Sequence, residues 1–179
     1  MKKQELQPTE YGEYYAGYIS KIPNETILKK GIVENKDLLI EFFNSIPEEK
    51  LPYRYLPEKW NIKEILQHII DTERIFMYRM LRIARQDKTP SHGFDQGSYI
   101  KPSGVNNKSL AELLKEFEIT RLYSINLINS IPTKSFNNMG VTNNSPISVR
   151  ACAFILIGHS IWHMDIIKER YLQFQQGTF

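Results

Sequence analysis

Four long stretches of this sequence repeat apolar residues every three or four positions, and each is closed off by proline or by polar turn formers. That pattern leaves few folds open. Leu28, Ile32, Leu39, Phe42, Phe43 and Ile46 mark a first helix over Asn24–Ile46, with Asn24 placed to cap it and Pro47 to stop it. Ile62, Ile65, Leu66, Ile69, Phe76 and Met80 mark a second, opened by the capping box Asn61-Ile62-Lys63-Glu64 and ending near Arg85. Ser109-Leu110-Ala111-Glu112 opens a third in the same way. Its stripe runs from Leu110 through Phe117, Ser124 and Ile128 to Ile131, and Pro132 ends it. The fourth, Val149–Leu172, is capped by Ser148 and holds no proline and one glycine. No stretch shows a credible strand pattern or an internal repeat. Four helices with one apolar stripe each bury those stripes best against one another, which predicts an all-α fold, a four-helix bundle.

The connectors differ in kind. Pro47–Trp60 carries three prolines and reads as extended chain. Gln86–Lys108 is the longest linker. It contains Pro90, Gly93, Gly97, Pro102 and Gly104, and a connection of that length crosses the fold or has a task. Thr133–Ile147 reads as Asn-rich loop. Residues 1–23 carry Tyr11, Tyr14, Tyr15 and Tyr18. We expect an N-terminal arm laid against the body, or else a partly disordered tail, with residues 24–179 forming the single bundle domain.

Composition excludes several classes. The net charge of +3 is spread over interspersed Lys, Arg, Asp and Glu, with no basic arm for nucleic acid. Residues 1–9 lack the apolar core of a signal peptide. The most apolar run, Ala151–Ile157, is too short to span a bilayer. The lone Cys152 suits a reducing compartment and reads as a small core residue. We expect a cytoplasmic protein whose partner is a small molecule, not a membrane or a nucleic acid, with a homodimer through exposed helix faces as an option.

Chemistry concentrates in the fourth helix, at Gly158-His159-Ser160-Ile161-Trp162-His163. Histidines four residues apart stack on one helix face, about 6 Å apart along the axis. That is the ligand spacing of helical zinc proteases, but Ser160 follows His159 where their base would be. His159 and His163 fall in line with Cys152 and Leu156, so they point into the bundle. His68 lies at the edge of the buried face of the second helix. If the second and fourth helices run antiparallel, a rise of about 1.5 Å per residue brings all three rings to similar heights. Three imidazoles with an open position suit Zn, Ni or Fe(II) and match the ligand count of a catalytic site. The competing reading is three core histidines hydrogen-bonded to protein neighbours.

Other residues carry weaker expectations. Glu73 and Arg121 interrupt apolar stripes and are expected to form a buried pair, with Arg121 as an alternative anion contact in a pocket. His92, in the long linker, is expected in solvent, with an approach to the site as the alternative. Asp71, Arg74, Arg79 and Asp165 read as solvated or surface-paired charges. Asp95 and Tyr99, in the long linker, are the first residues to test for acid–base work, although no catalytic group is assignable.

Taken together, Lys59-Trp60-Asn61-Ile62-Lys63-Glu64-Ile65-Leu66-Gln67-His68, Asp71-Thr72-Glu73-Arg74, Gly93-Phe94-Asp95-Gln96, Val149-Arg150-Ala151, Gly158-His159, His163 and Lys168-Glu169-Arg170-Tyr171 resemble the DinB superfamily of DinB/YfiT-like metalloenzymes over nearly all of residues 24–172. The resemblance implies an up-down-down-up bundle whose long step joins the second and third helices. It implies a metal triad of His68, His159 and His163. Trp162 stands where relatives often have a further, non-ligating histidine. It also implies thiol-dependent transfer to small electrophiles, with a low-molecular-weight thiol such as bacillithiol or mycothiol as co-substrate, or metal-dependent hydrolysis. A non-catalytic metal- or ligand-binding bundle in a stress response is the alternative.

Overall fold

A computed structural model describes residues 1–172, so residues 173–179, expected to close the bundle domain, lie outside the described residues. The chain folds as α1 (Ala16–Ser20), α2 (Leu28–Asn44), α3 (Ile62–Ala84), α4 (Gln96–Ile100), α5 (Leu110–Ser130) and α6 (Val149–Ile167), with a two-stranded antiparallel sheet of β1 (Met139–Thr142) and β2 (Ser145–Ser148). The four long helices are those the apolar stripes mark. Their N-terminal caps explain three of the four starts. The side chains of Asn61, Ser109 and Ser148 accept from the amides of Glu64, Glu112 and Ala151, satisfying donors that a helix start leaves orphaned.

The first long helix departs from expectation. It begins at Leu28, not Asn24, and Ile27 offers no side-chain cap. The extreme N-terminus takes over that role. The Lys3 amide donates to the Thr26 carbonyl (2.9 Å), Gln4 to Asn24 (3.1 Å), and Leu28 donates to the Met1 carbonyl (3.1 Å). Pairing between 1–4 and 24–28 holds that segment extended and supplies an acceptor at the helix start. Asn24 instead accepts from the Lys3 ammonium at 2.8 Å.

The strand-free reading of Thr133–Ile147 is also corrected. Met139 pairs with Ser148 and Thr142 with Ser145, leaving Asn143-Asn144 as a two-residue loop. Both asparagines have positive φ, 48° and 59°, as a type I′ turn requires. The hairpin is held along both sides. Tyr11 of the arm bridges to Ile147, and Ser91 of the long linker bridges to Thr142.

Both α2 and α3 pack chiefly against α5 and α6. The Tyr171 hydroxyl, past the end of α6, donates to the Trp60 carbonyl just before α3 at 2.6 Å. Asn138, ahead of α6, reaches the Ile83 and Ala84 carbonyls that end α3. The first turns of α3 therefore face the last turns of α6. The N-terminal arm is ordered against the body: Leu6, Tyr15, Ile19 and Ile22 are buried in one apolar cluster with Phe76 and Ala151–Ile157. A second cluster joins Leu39 and Phe43 to Ile62, Ile65, Leu66, Ile69, Ile70, Leu113, Met164 and Ile167. Between the two lies a polar layer of buried side chains, among them His68, Glu73, Arg121, His159 and Ser160. No helix among the described residues is long and apolar enough to cross a membrane.

Candidate metal centre

Helix phase delivers the three histidines to one point. His68, in the second turn of α3, and His159, just past the middle of α6, are 2 % and 4 % exposed; His163, one turn later, is half-buried. The Nε2 atom of His159 lies 3.0 Å from Nε2 of His68 and 3.1 Å from Nε2 of His163. The three rings meet edge to face, with centroids 4.5 to 4.9 Å apart. One ring nitrogen from each residue thus falls within 4.8 Å of the others.

That cluster is short of protons, not of lone pairs. Burial lowers the pKa of His68 to about 4 and that of His163 to about 3, and together with the neighbouring rings and Arg121 it holds His159 well below the ordinary imidazole value. All three are therefore neutral near pH 7. A single Nε2 proton on His159 cannot serve both neighbours, so hydrogen bonding alone leaves one close N···N contact poorly matched. A cation resolves it. Ligands about 2.0–2.1 Å from a tetrahedral zinc lie roughly 3.3 Å from one another, close to the separations here. Thr72 Oγ1 lies 3.4 Å from Nδ1 of His68, where it can accept the Nδ1 proton and leave Nε2 free to ligate. Trp60 covers the other side of that ring, centroids 4.7 Å apart. The donor set fits a divalent transition metal. No fourth protein ligand joins it among the described residues.

A cavity of about 620 Å³ reaches this cluster at His159. Besides Ile155 and His159 of α6 and Asn143 of the hairpin, its walls come from three parts of the chain. Tyr14, Tyr15 and Tyr18 come from the arm, Thr72, Phe76 and Arg79 from α3, and His92–Gln96 from the long linker. The Tyr18 ring meets the His159 ring edge-on at 5.2 Å and Trp162 at 5.5 Å. Trp162 is thus a packing partner of the arm, and Lys21 Nζ lies 5.5 Å from its ring.

The remaining expectations divide. Glu73 and Arg121 do pair: Nε of Arg121 donates to both carboxylate oxygens, at 2.8 and 3.0 Å, with both side chains 1 % exposed. Arg121 also donates to Asn35 and Ser160. So committed, and absent from the lining of the cavity, it is not an anion contact. Cys152 is buried and its thiol is pushed up to about 12 by that burial, as suits a core residue. Asp165 pairs with Lys21, and Arg74 with Asp71 and Glu116. Arg79 is not a surface charge: it is 3 % exposed and faces the cavity. Its position three residues after Phe76 was the available signal. His92 is exposed, yet it lies at the cavity mouth. Asp95 reaches the same mouth, but its carboxylate caps α4 by accepting from the Gly97 amide at 3.0 Å. Tyr99 is absent from this lining and faces a separate groove beside Gln67 and Arg74. The arm tyrosines are the part of the site that sequence reasoning left unassigned.

Comparison with known proteins agrees with this architecture. The sequence profile of the DinB superfamily matches residues 32–167. YfiT from Bacillus subtilis, described as a probable metal-dependent hydrolase with an unusual four-helix bundle topology, superposes with a TM-score of 0.70. The match covers 83 % of this chain and 90 % of that one, at 14 % identity. No curated protein matches the sequence.

Proposed function

The chain belongs to the DinB superfamily, and from that premise we propose that it is a metal-dependent enzyme acting on a small molecule, with His68, His159 and His163 as the metal ligands. The observation that carries this reading is the convergence of three neutral Nε2 atoms at a cavity large enough for a small organic substrate. A divalent metal held there supplies Lewis acidity toward a water or a thiol that reaches it. The protein's own contribution is positional. Thr72 and Trp60 fix the His68 ring, and Tyr18 fixes His159. The arm and linker form much of the cavity's lining.

Two reactions share these ligands. One is transfer of a low-molecular-weight thiol to an electrophile, as the family resemblance implies. The other is hydrolysis, which the description of the B. subtilis neighbour favours. The reading takes the long helices in up-down-down-up order, supported by the meeting of the ends of α3 and α6. It places the protein in the cytoplasm. Protein purified without a nickel column should carry close to one equivalent of Zn, Ni or Fe by elemental analysis, and His159→Ala should carry almost none. The loaded protein should either join a thiol to a chloro-nitroaromatic or cleave an activated ester, and His159→Ala should abolish whichever activity is seen. Stoichiometric metal without turnover across both substrate sets would establish a binding protein instead. A metal content unaffected by His159→Ala would remove the site altogether.

A further inference from the structure

Arg79 is the cationic side chain in the lining of the cavity, and the metal reading does not use its charge. It is 3 % exposed. Among the described residues no carboxylate lies within ion-pair distance of it, in contrast with the buried Arg121 and the half-buried Arg150. Its Nη2 donates to the His92 carbonyl at 2.9 Å, and its guanidinium lies 5.1 Å from the centre of the Phe76 ring. Tyr15 lines the same cavity. All of these partners are neutral. The carboxylate on the cavity mouth, Asp95, is occupied with the Gly97 amide.

A guanidinium removed from water is normally paired with an anion, because a buried charge without one is costly. Here Arg79 lines an open volume of about 620 Å³ that also touches His159. Tyr14, Tyr15, Tyr18, Phe76 and Phe94 line the same space as Arg79 and His159, offering flat apolar faces there. A fork-shaped cation fits a carboxylate with two parallel N–H···O bonds. We propose that Arg79 anchors the carboxylate of the substrate, and that the substrate class is a carboxylate-bearing small molecule with a planar apolar body lying along the aromatic wall. The placement of its reactive end at His159 rests on the function proposed above. The anchoring itself does not.

The test uses chelator-treated protein, so that no metal can hold the anion. Naphthalene-2-carboxylate and its uncharged amide, naphthalene-2-carboxamide, are titrated by NMR. Wild type should bind the acid about tenfold or more tightly than the amide. Arg79→Met should bring the acid down to the level of the amide and leave the amide unchanged. Arg79→Lys, which keeps the charge but not the fork, should fall between. Equal affinities for acid and amide in wild type would overturn the proposal and leave Arg79 as a clamp on the His92 carbonyl. Retained acid preference in Arg79→Met would overturn it too. If Arg79→Met fails to fold, the wild-type comparison and Arg79→Lys still decide. Acid preference in a protein that never binds metal would sink the metal centre and spare this anchor.

Discussion

Protonation of the three histidines ties the site to the stability of the fold. In the metal-free protein each ring is neutral when folded, because burial has lowered its pKa to about 4 for His68 and about 3 for His163, and well below the ordinary value for His159. In the unfolded chain each takes up a proton near pH 6.5. The unfolded state therefore binds more protons below pH 6.5, and stability falls with pH there. The contribution is complete above about 6.5 and is lost as pH drops toward 4 and then 3. Urea midpoints of the metal-free protein should be level from pH 8 to 7 and drop steeply between 6.5 and 4.5. His163→Asn should make that drop shallower, and an unchanged slope would show that the rings are not buried neutral. A second prediction concerns the ion pair beside them. Glu73→Ala strands Arg121 in the polar layer and should cost about 3–5 kcal/mol in urea unfolding. The double variant Glu73→Met with Arg121→Met should cost clearly less than the two single changes summed. At this scale the sequence was informative wherever helix phase decides direction. The histidine trio, the Glu73–Arg121 pair and the buried Cys152 all follow from counting residues around a helix. Phase also put Arg79 on the buried face, one step past Phe76. The general expectation that a charge seeks solvent points the other way, and it fails here because Arg79 is buried at the wall of an interior cavity.

The elements show where local pattern stops being enough. Long helices announce themselves through their stripes and their Asn61, Ser109 and Ser148 caps. Strands of four residues do not, because Met139–Thr142 and Ser145–Ser148 are too short to alternate visibly. The legible trace was the Asn143-Asn144 pair, which suits positive φ. The start of α2 escaped for another reason: its first amide is met by Met1, remote in sequence, so no neighbouring cap residue was required. The hairpin matters to the site because it grips the long linker. The Ser91 amide donates to the Val141 carbonyl, and the Asn143 amide donates to the Ser91 carbonyl, each at 2.9 Å. Asn144→Gly keeps the turn conformation and should change stability by less than about 0.5 kcal/mol, whereas Asn144→Val is strained there by about 1–2 kcal/mol. Hydrogen exchange should show faster opening of the Ser91 and Asn143 amides in the valine variant alone. Equal exchange in both variants would show that the turn does not set how firmly the linker is held.

Across the whole molecule, the cavity exists because three distant parts of the chain close on α6. The arm is the least bundle-like of them and the most consequential. It buries Tyr15, Ile19 and Ile22, pairs Glu10 with Arg150 through two oxygens, and lays α1 along α6. The tyrosines hinted that this segment is ordered, but nothing in their spacing said which helix would receive it. The receiving feature is Gly158. A Cβ there would lie 2.1 Å from the Tyr18 carbonyl oxygen, a backbone atom that cannot swing aside as a side-chain tip could. Gly158→Ala should therefore displace α1 and not merely crowd it. Inside a helix the same change is otherwise favourable by roughly 0.5–1 kcal/mol, so the sign of the effect separates the two outcomes. If arm docking holds the cavity together, the variant should lose several degrees in Tm, become sensitive to protease in residues 1–23, and bind the naphthalene probes more weakly through loss of the tyrosine wall. Metal content should persist, since His68, His159 and His163 all lie outside the arm. A Tm that rises with the arm still protected would mean that α1 rests on α6 without closing the site.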